Sequence, residues 1–376
     1  MKRLHPSRRS KLLVAATGAL SLVGAAAATQ SSVAAATDAG PLMARHVTIT
    51  SGLDNPRQLQ RLENGDFLVA EAGHGADDPD NCAGPQGEET CVGITGKVTR
   101  IHDGQLTRVI TGLISAAGKD GSFAVGSDGA SHQPKGPYLS IMTYADPDQL
   151  PPGLPAGQLG HLLAKYPGGK LHPIANISAY EAAHDPDGEG VDSNPYSVLA
   201  LKNQILVADA AGDDILSVKN GQVSLWATLP EYGPDFDAVP TTLTRGPHGA
   251  IYVGELHSEL QHKARVWQYD RMGHRLRSWT GFTTVTGVAR GGDGSLYVSE
   301  LFGGTCGFDD PTCFPGRVVK VAPDGTRTYA QVSQPSGLLW DDGKLYAAAR
   351  SLYKAFNNQD GQGQIVSVDP SSFVPQ

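Results

Sequence analysis

Cysteine is scarce in this chain of 376 residues: four occur, in two local pairs, Cys82 with Cys91 and Cys306 with Cys313. That number excludes a dense disulfide scaffold, and neither pair has the close spacing or flanking histidines of a zinc site. Two loop-stapling disulfides are the first reading, although four cysteines allow three connectivities. No G-x-S-x-G nucleophile elbow, H-E-x-x-H zinc helix or Walker-type phosphate loop occurs, which removes the commonest motif-borne enzyme classes. Charged residues make up 18% of the chain, and long charged helical runs are few. What is abundant is punctuation. The 46 Gly and 25 Pro point to many short elements joined by many turns.

The N-terminus has its own composition. Lys2, Arg3, Arg8, Arg9 and Lys11 precede the apolar run LLVAATGALSLVGAAAA, and Ala34-Ala35-Ala36 offers a small-residue cleavage site. The run is short and rich in Ala and Gly, so residues 1–36 read as a signal peptide and not as a spanning helix. Residues 37–45 follow as a short linker. Ser7-Arg8-Arg9 hints at twin-arginine export, but Lys11 stands where an apolar residue belongs, so the route stays open. The expectation is an exported protein, secreted or held at the cell envelope, with no transmembrane anchor after cleavage and a monomeric state. Removing five basic residues from 30 leaves 25 Lys+Arg against 38 Asp+Glu, a balance of −13. Such a surface argues against a nucleic-acid or anionic-membrane partner.

Internal repetition sets the architecture. GPHGAIYVGEL (246–256) and GGDGSLYVSEL (291–301) are near copies, and ENGDFLVAEAG (63–73), LKNQILVADAAG (201–212) and WDDGKLYAAAR (340–350) share their form. YLSIMTY (138–144) is a weaker sixth. Each is a tight turn followed by a β-rich run and then small or acidic residues. Taking Val69, Ile141, Val207, Val253, Val298 and Ala347 as markers, the steps are 72, 66, 46, 45 and 49 residues. A step near 45 fits one four-stranded propeller blade, with longer loops in the first two. Each marker strand is followed by another short run, such as GKVTRIH (96–102), DILSVK (214–219) or GQIVSVD (363–369), and most by an outer strand such as LHPIANI or VSLWATL. Six blades have five such outer strands downstream; HVTITSGL (46–53) supplies the missing one. The fold class is therefore all-β, a six-bladed β-propeller over residues 46–376 closed by the N-terminal strand completing the last blade.

In an up-and-down blade, the loop before the first strand and the loop after the second share a face. Arg57 and Asn194, in NPRQL (55–59) and NPYSV (194–198), thus fall on the same loop-rich face as Glu71, Asp209, Glu255 and Glu300. These four acids occupy equivalent strand exits. Turned to the axis, they would form a carboxylate ring at the channel mouth, able to hold a divalent cation such as calcium or to raise one another's pKa for general-base work. The plainer alternative is that each accepts backbone N–H bonds of a neighbouring turn, once per repeat. DPDGEGVD (185–192) alternates acids around a Gly like a calcium loop, but its spacing is not that of an EF-hand. It reads first as a solvated acidic loop. His74 and His257 lie near the same mouth and could act as acid, base or ligand, or as bystanders.

VDSNPYSVLAL, LVADAAGDDILSV, the Val239-Pro240-Thr241 step, GPHGAIYVGEL and the closing FNNQDGQGQIVSVD together resemble the ScyD/ScyE family of exported bacterial propeller proteins. More distantly the repeat is similar to NHL-type and gluconolactonase-type propellers. The last are metal-dependent hydrolases that hold a divalent ion near the axis with carboxylates and Asn, and here Glu71, Asp209, Glu255, Glu300 and Asn194 have comparable character. The first expectation is a non-enzymatic propeller that uses its loop-rich face to bind an unidentified small molecule or protein. The alternatives are a divalent-metal-dependent, lactonase-like hydrolase or lyase with an axial carboxylate site, and a structural envelope protein.

Overall fold

The computed structural model describes residues 45–84, 89–119, 123–230, 232, 236–303, 316–352 and 362–375. The expected signal peptide and the Cys306–Cys313 pair lie outside them. Six antiparallel sheets form the six blades. Blade 1 comprises Pro56–Arg61, Phe67–Glu71, Thr90–His102 and Gln105–Gly118, with the short strand Cys82–Ala83 added beside the third. Cys82 faces Cys91 there and is joined to it by a disulfide. Blade 2 comprises Ser127–His132, Tyr138–Met142, His161–Lys165 and His172–Asn176; blade 3 Pro195–Ala200, Ile205–Asp209, Asp214–Lys219 and Gln222–Thr228. Blade 4 follows with Pro240–Arg245, Ile251–Glu255, Ala264–Tyr269 and Arg275–Phe282, and blade 5 with Val285–Arg290, Leu296–Glu300, Arg317–Val321 and Arg327–Gln331. Blade 6 takes Leu338–Asp341, Lys344–Ala349 and Gly363–Val368 from the C-terminal end and His46–Leu53 as its outer strand, with His46 opposite Val368.

The six marker residues are completely buried, because both faces of a blade's second strand pack against neighbouring blades. Apolar side chains gather into a core at every blade junction, such as Leu139, Leu162, Val207 and Leu216 between blades 2 and 3. Around the axis the first strands are laced by hydroxyls. Thr241 donates to Val285 O at 2.6 Å, Thr286 to Pro335 O at 2.9 Å and Ser336 to Pro56 O at 2.8 Å.

Two local details were not expected from the repeat. The segment QPSGL (334–338) precedes the first strand of blade 6, which begins at Leu338. Its Gly337 lies so close to the strand of blade 1 that a Cβ would stand 2.4 Å from Leu59 N, which suits a packed turn more than a pleated strand. Between blades 2 and 3, an α-helix over Ile177–His184 follows the expected outer strand. Asn176 caps it, its side chain accepting Ala179 N–H at 2.9 Å. The helix ends at Asp185, whose φ of 44° turns the chain into the left-handed region.

Candidate functional site

Glu71, Asp209, Glu255 and Glu300 each close the second strand of a blade, and all four are completely buried. Their oxygens turn to partners within or just before the same blade. Glu71 accepts Asp54 N–H at 2.6 Å, the Thr99 hydroxyl and the Arg108 guanidinium. Glu300 accepts Thr283 N–H at 2.8 Å and the Arg317 Nε–H. Asp209 accepts Asn194 N–H at 2.5 Å and the Ser193 hydroxyl at 2.6 Å. Glu255 takes the Tyr232 hydroxyl at 2.9 Å and the Trp267 indole N–H at 2.8 Å. In three blades, then, the acid holds a backbone N–H just ahead of the first strand, fixing where the chain enters. Burial raises the pKa of Glu71 and of Glu300, against the pull of Arg108 and Arg317. Burial also pushes Asp209 up to about 6, against its Ser193 and backbone hydrogen bonds.

The residue across the strand pair differs between blades. Lys97 stands opposite Glu71, and Arg317 opposite Glu300. In blade 4, Gly254 faces Val266, so Arg265 is the next residue toward Glu255, and its guanidinium lies 4.6 Å from the ring centre of Tyr232. Blade 3 reverses the charge: Asp214 stands opposite Asp209.

That reversal belongs to a larger collection of acids. Glu181, on the helix Ile177–His184, is completely buried and neither carboxylate oxygen has a hydrogen-bond partner; the same is true of Asp214. Oxygens of Glu181, Asp185 and Asp187 all lie within 4.8 Å of one another. The turn between Asp209 and Asp214 sits against them, since a Cβ added to Gly212 would come 3.0 Å from Glu181 Oε2 and 3.5 Å from the Asp192 carbonyl. Burial first, and then Asp209 and its acidic neighbours, push Glu181 up to about 8 and Asp214 up to about 10. Burial likewise takes Asp213 up to about 7, although it accepts Val239 N–H at 2.7 Å and Ala238 N–H at 2.9 Å. Among the described residues this is the one cluster of three or more metal-capable side chains, and it contains none of the four strand-exit acids. Sequence reasoning singled out Asp185 and Asp187 but missed Glu181 and Asp214. The available signal was Asp213-Asp214 in a place where blades 1, 4 and 5 carry Lys or Arg.

Arg57 and Asn194 are fastenings. Arg57 is buried and donates to Ser351 O at 2.7 Å and Ala124 O at 2.6 Å, with Nε 3.4 Å from Asp128. It ties blade 1 to blade 6 and to the segment leading into blade 2. Asn194 accepts the Thr143 hydroxyl at 2.6 Å and so ties blade 3 to the second-strand exit of blade 2. His74 bridges Asp54 at 2.6 Å and Asp77 at 2.8 Å, while His257 is buried edge-on to Tyr232. The axis opens at the other end, where first strands turn into second strands. A cavity of about 360 Å³ there is lined by Gln60, His132, Thr244, Arg245, Arg290 and Trp340, among others. Arg290 Nε is buried there without a hydrogen-bond partner.

These features define a six-bladed propeller with a polar axial cavity at one end and an unbalanced acidic pocket off the axis. In structure the chain is similar to an oxidoreductase (glucose dehydrogenase) of Thermus thermophilus, with 13% identity and a TM-score of 0.52 over 87% of this chain and all of that one. It is also similar to a calcium-binding protein, regucalcin, of Agrobacterium tumefaciens (12% identity, TM-score 0.49, 87% of this chain and 95% of that one). A virginiamycin B lyase of Staphylococcus aureus has 11% identity and a TM-score of 0.49, over 86% and 99%. At such identities the likeness concerns the fold alone. No family model matches the chain, and no curated protein matches it in sequence.

Proposed function

We propose that the protein is an exported binding propeller of the ScyD/ScyE kind, which takes a small anionic molecule in its axial cavity without transforming it. The observation that carries this reading is the cavity at the hairpin end. Its 360 Å³ lies within the ordinary size range of small-molecule sites. Its wall combines the guanidinium groups of Arg245 and Arg290 with the amide of Gln60 and the indole of Trp340. Guanidinium groups that line a cavity suit a carboxylate, and a charge-assisted bond there is stronger than a neutral one. The loop-rich end is built differently. Its strand-exit carboxylates are engaged by backbone, hydroxyl and guanidinium donors, which leaves them poorly placed to act as general bases on a substrate at the axis.

The test is a titration of the mature protein with small mono- and dicarboxylates and sugar acids, followed by calorimetry. One class should bind saturably at one site per chain. Arg290→Gln should weaken that binding at least tenfold, because about 1.4 kcal/mol corresponds to a factor of ten and a charged hydrogen bond contributes about 1.5–3 kcal/mol. Binding that survives Arg290→Gln and Arg245→Gln unchanged would remove the axial cavity as the ligand site. Turnover of any lactone or ester by the purified protein would replace the binding reading with a catalytic one.

A further inference from the structure

We propose that Glu181, Asp185 and Asp187 form a calcium site between the helix that follows blade 2 and the second hairpin of blade 3, whose unpartnered Asp214 adds to the local negative potential. The site is independent of the axial cavity. Three observations converge on it. The first is the two buried carboxylates that lack any donor: Glu181 and Asp214 are completely buried, and none of their four oxygens accepts a hydrogen bond. Buried charge without a partner is strongly unfavourable, so such groups are paired, neutralised or bound to a cation.

The second is spacing. Oxygens of Glu181, Asp185 and Asp187 lie within 4.8 Å of one another. Ligands at about 2.3–2.6 Å from one calcium ion stand at most about 5 Å apart across it, so one ion can touch all three. Asp185 and Asp187 each use one oxygen to order their own loop, Asp185 accepting Gly190 N–H at 3.1 Å and Asp187 accepting Glu189 N–H at 3.0 Å. The loop is thereby bent around the buried Glu181, and the Asp192 carbonyl is brought toward the same turn. All three ligands are carboxylates, and they come from a helix and the irregular loop that follows it. Calcium tolerates that variety, whereas magnesium demands a near-ideal octahedron and keeps its waters.

The third is the comparison between blades. Where blades 1 and 5 place Lys97 and Arg317 across from the strand-exit acid, blade 3 places Asp214 across from Asp209. Like charges directly opposite in a strand pair destabilise it. Blades 1, 4 and 5 carry a basic side chain in that place and blade 3 carries none; a bound divalent cation supplies the positive charge and joins the helix to the hairpin.

The experiment uses the mature protein stripped with EDTA and dialysed, then titrated with CaCl2 by calorimetry and thermal unfolding, with MgCl2 in parallel. The expected result is one Ca²⁺ per chain and a Tm rise of roughly 5 °C at Ca²⁺ a hundredfold above Kd. Glu181→Gln should abolish both, and Asp187→Asn should weaken binding about tenfold or more. Asp324→Asn, at an exposed hairpin tip, should change neither. Glu181→Gln should fold without calcium at least as well as the parent, because it removes a buried charge, and its Tm in EDTA checks this. The proposal is overturned if Ca²⁺ neither binds nor stabilises the parent. It is also overturned if Glu181→Gln and Asp187→Asn bind as the parent does. Tighter binding of Mg²⁺ than of Ca²⁺ would overturn the calcium assignment.

Discussion

Blade 5 and blade 3 solve one problem in opposite ways. Both bury an acid at the end of the second strand, Glu300 and Asp209, and both use it to hold a backbone N–H ahead of the first strand. Blade 5 then sets Arg317 beside its acid, so the pair is neutral and self-contained. Blade 3 sets Asp214 there and adds Glu181 from the preceding helix. The local sequence difference is small. Its consequence is that one blade is complete as a polypeptide while the other buries acids that have no basic partner. A repeat that is uniform in backbone can therefore be specialised by changing one cross-strand residue.

The comparison breaks most visibly in blade 5. Arg317→Ala leaves Glu300 buried with Thr283 N–H as its remaining strong donor and should cost about 3–5 kcal/mol, read by denaturant unfolding. A loss below about 1 kcal/mol would mean that the pair is not what neutralises the blade. The converse change sharpens the contrast. Asp214→Lys gives blade 3 the residue type of blade 1 and should raise stability in EDTA by about 1 kcal/mol, or about 1–2 °C, while removing the response to calcium. The smallest effect is expected far from both sites. Burial opposes ionisation of Asp66, but His102, Arg100 and Asn64 hold its carboxyl below the ordinary value. Asp66 in turn raises the pKa of His102 above 6.5. A raised histidine contributes stability that is fully present below pH 6.5 and is lost as pH climbs through its folded-state value. The parent's advantage over His102→Gln should shrink slightly between pH 5 and 9, beneath the larger loss that both share as the burial-raised acids Asp213 and Glu181 ionise, and unfolding of the two proteins across that range checks it.

Much of the fold was legible because the repeat is written in residues with a physical job. Turn residues, then β-branched and aromatic residues, mark each second strand, and the tally of outer strands requires His46–Leu53 to close the ring. The strand-exit acids were also legible as a set, since Glu71, Asp209, Glu255 and Glu300 recur at the same offset. Their orientation was not. Whether a carboxylate at a strand end turns to the axis or back into its blade depends on donors such as Arg108 and Tyr232, which arrive from other strands and loops. The helix Ile177–His184 was harder still, because eight residues with three alanines and a glutamate carry little periodic signal, and its cap at Asn176 also ends an outer strand. Glu181 went unnoticed for that reason. The axial cavity is the least local feature of all: its wall takes residues from different blades, and no single stretch announces it.

The outer strand of blade 6 makes the ring a belt with a buckle. His46 lies against Val368, so the first described strand waits for the last one. No partial chain can fasten itself, however many blades have formed, and a chain made from its N-terminus must be almost whole before the belt closes. Force applied at the two ends would act on that one seam, peeling a single antiparallel pair while the other five blades keep their sheets intact.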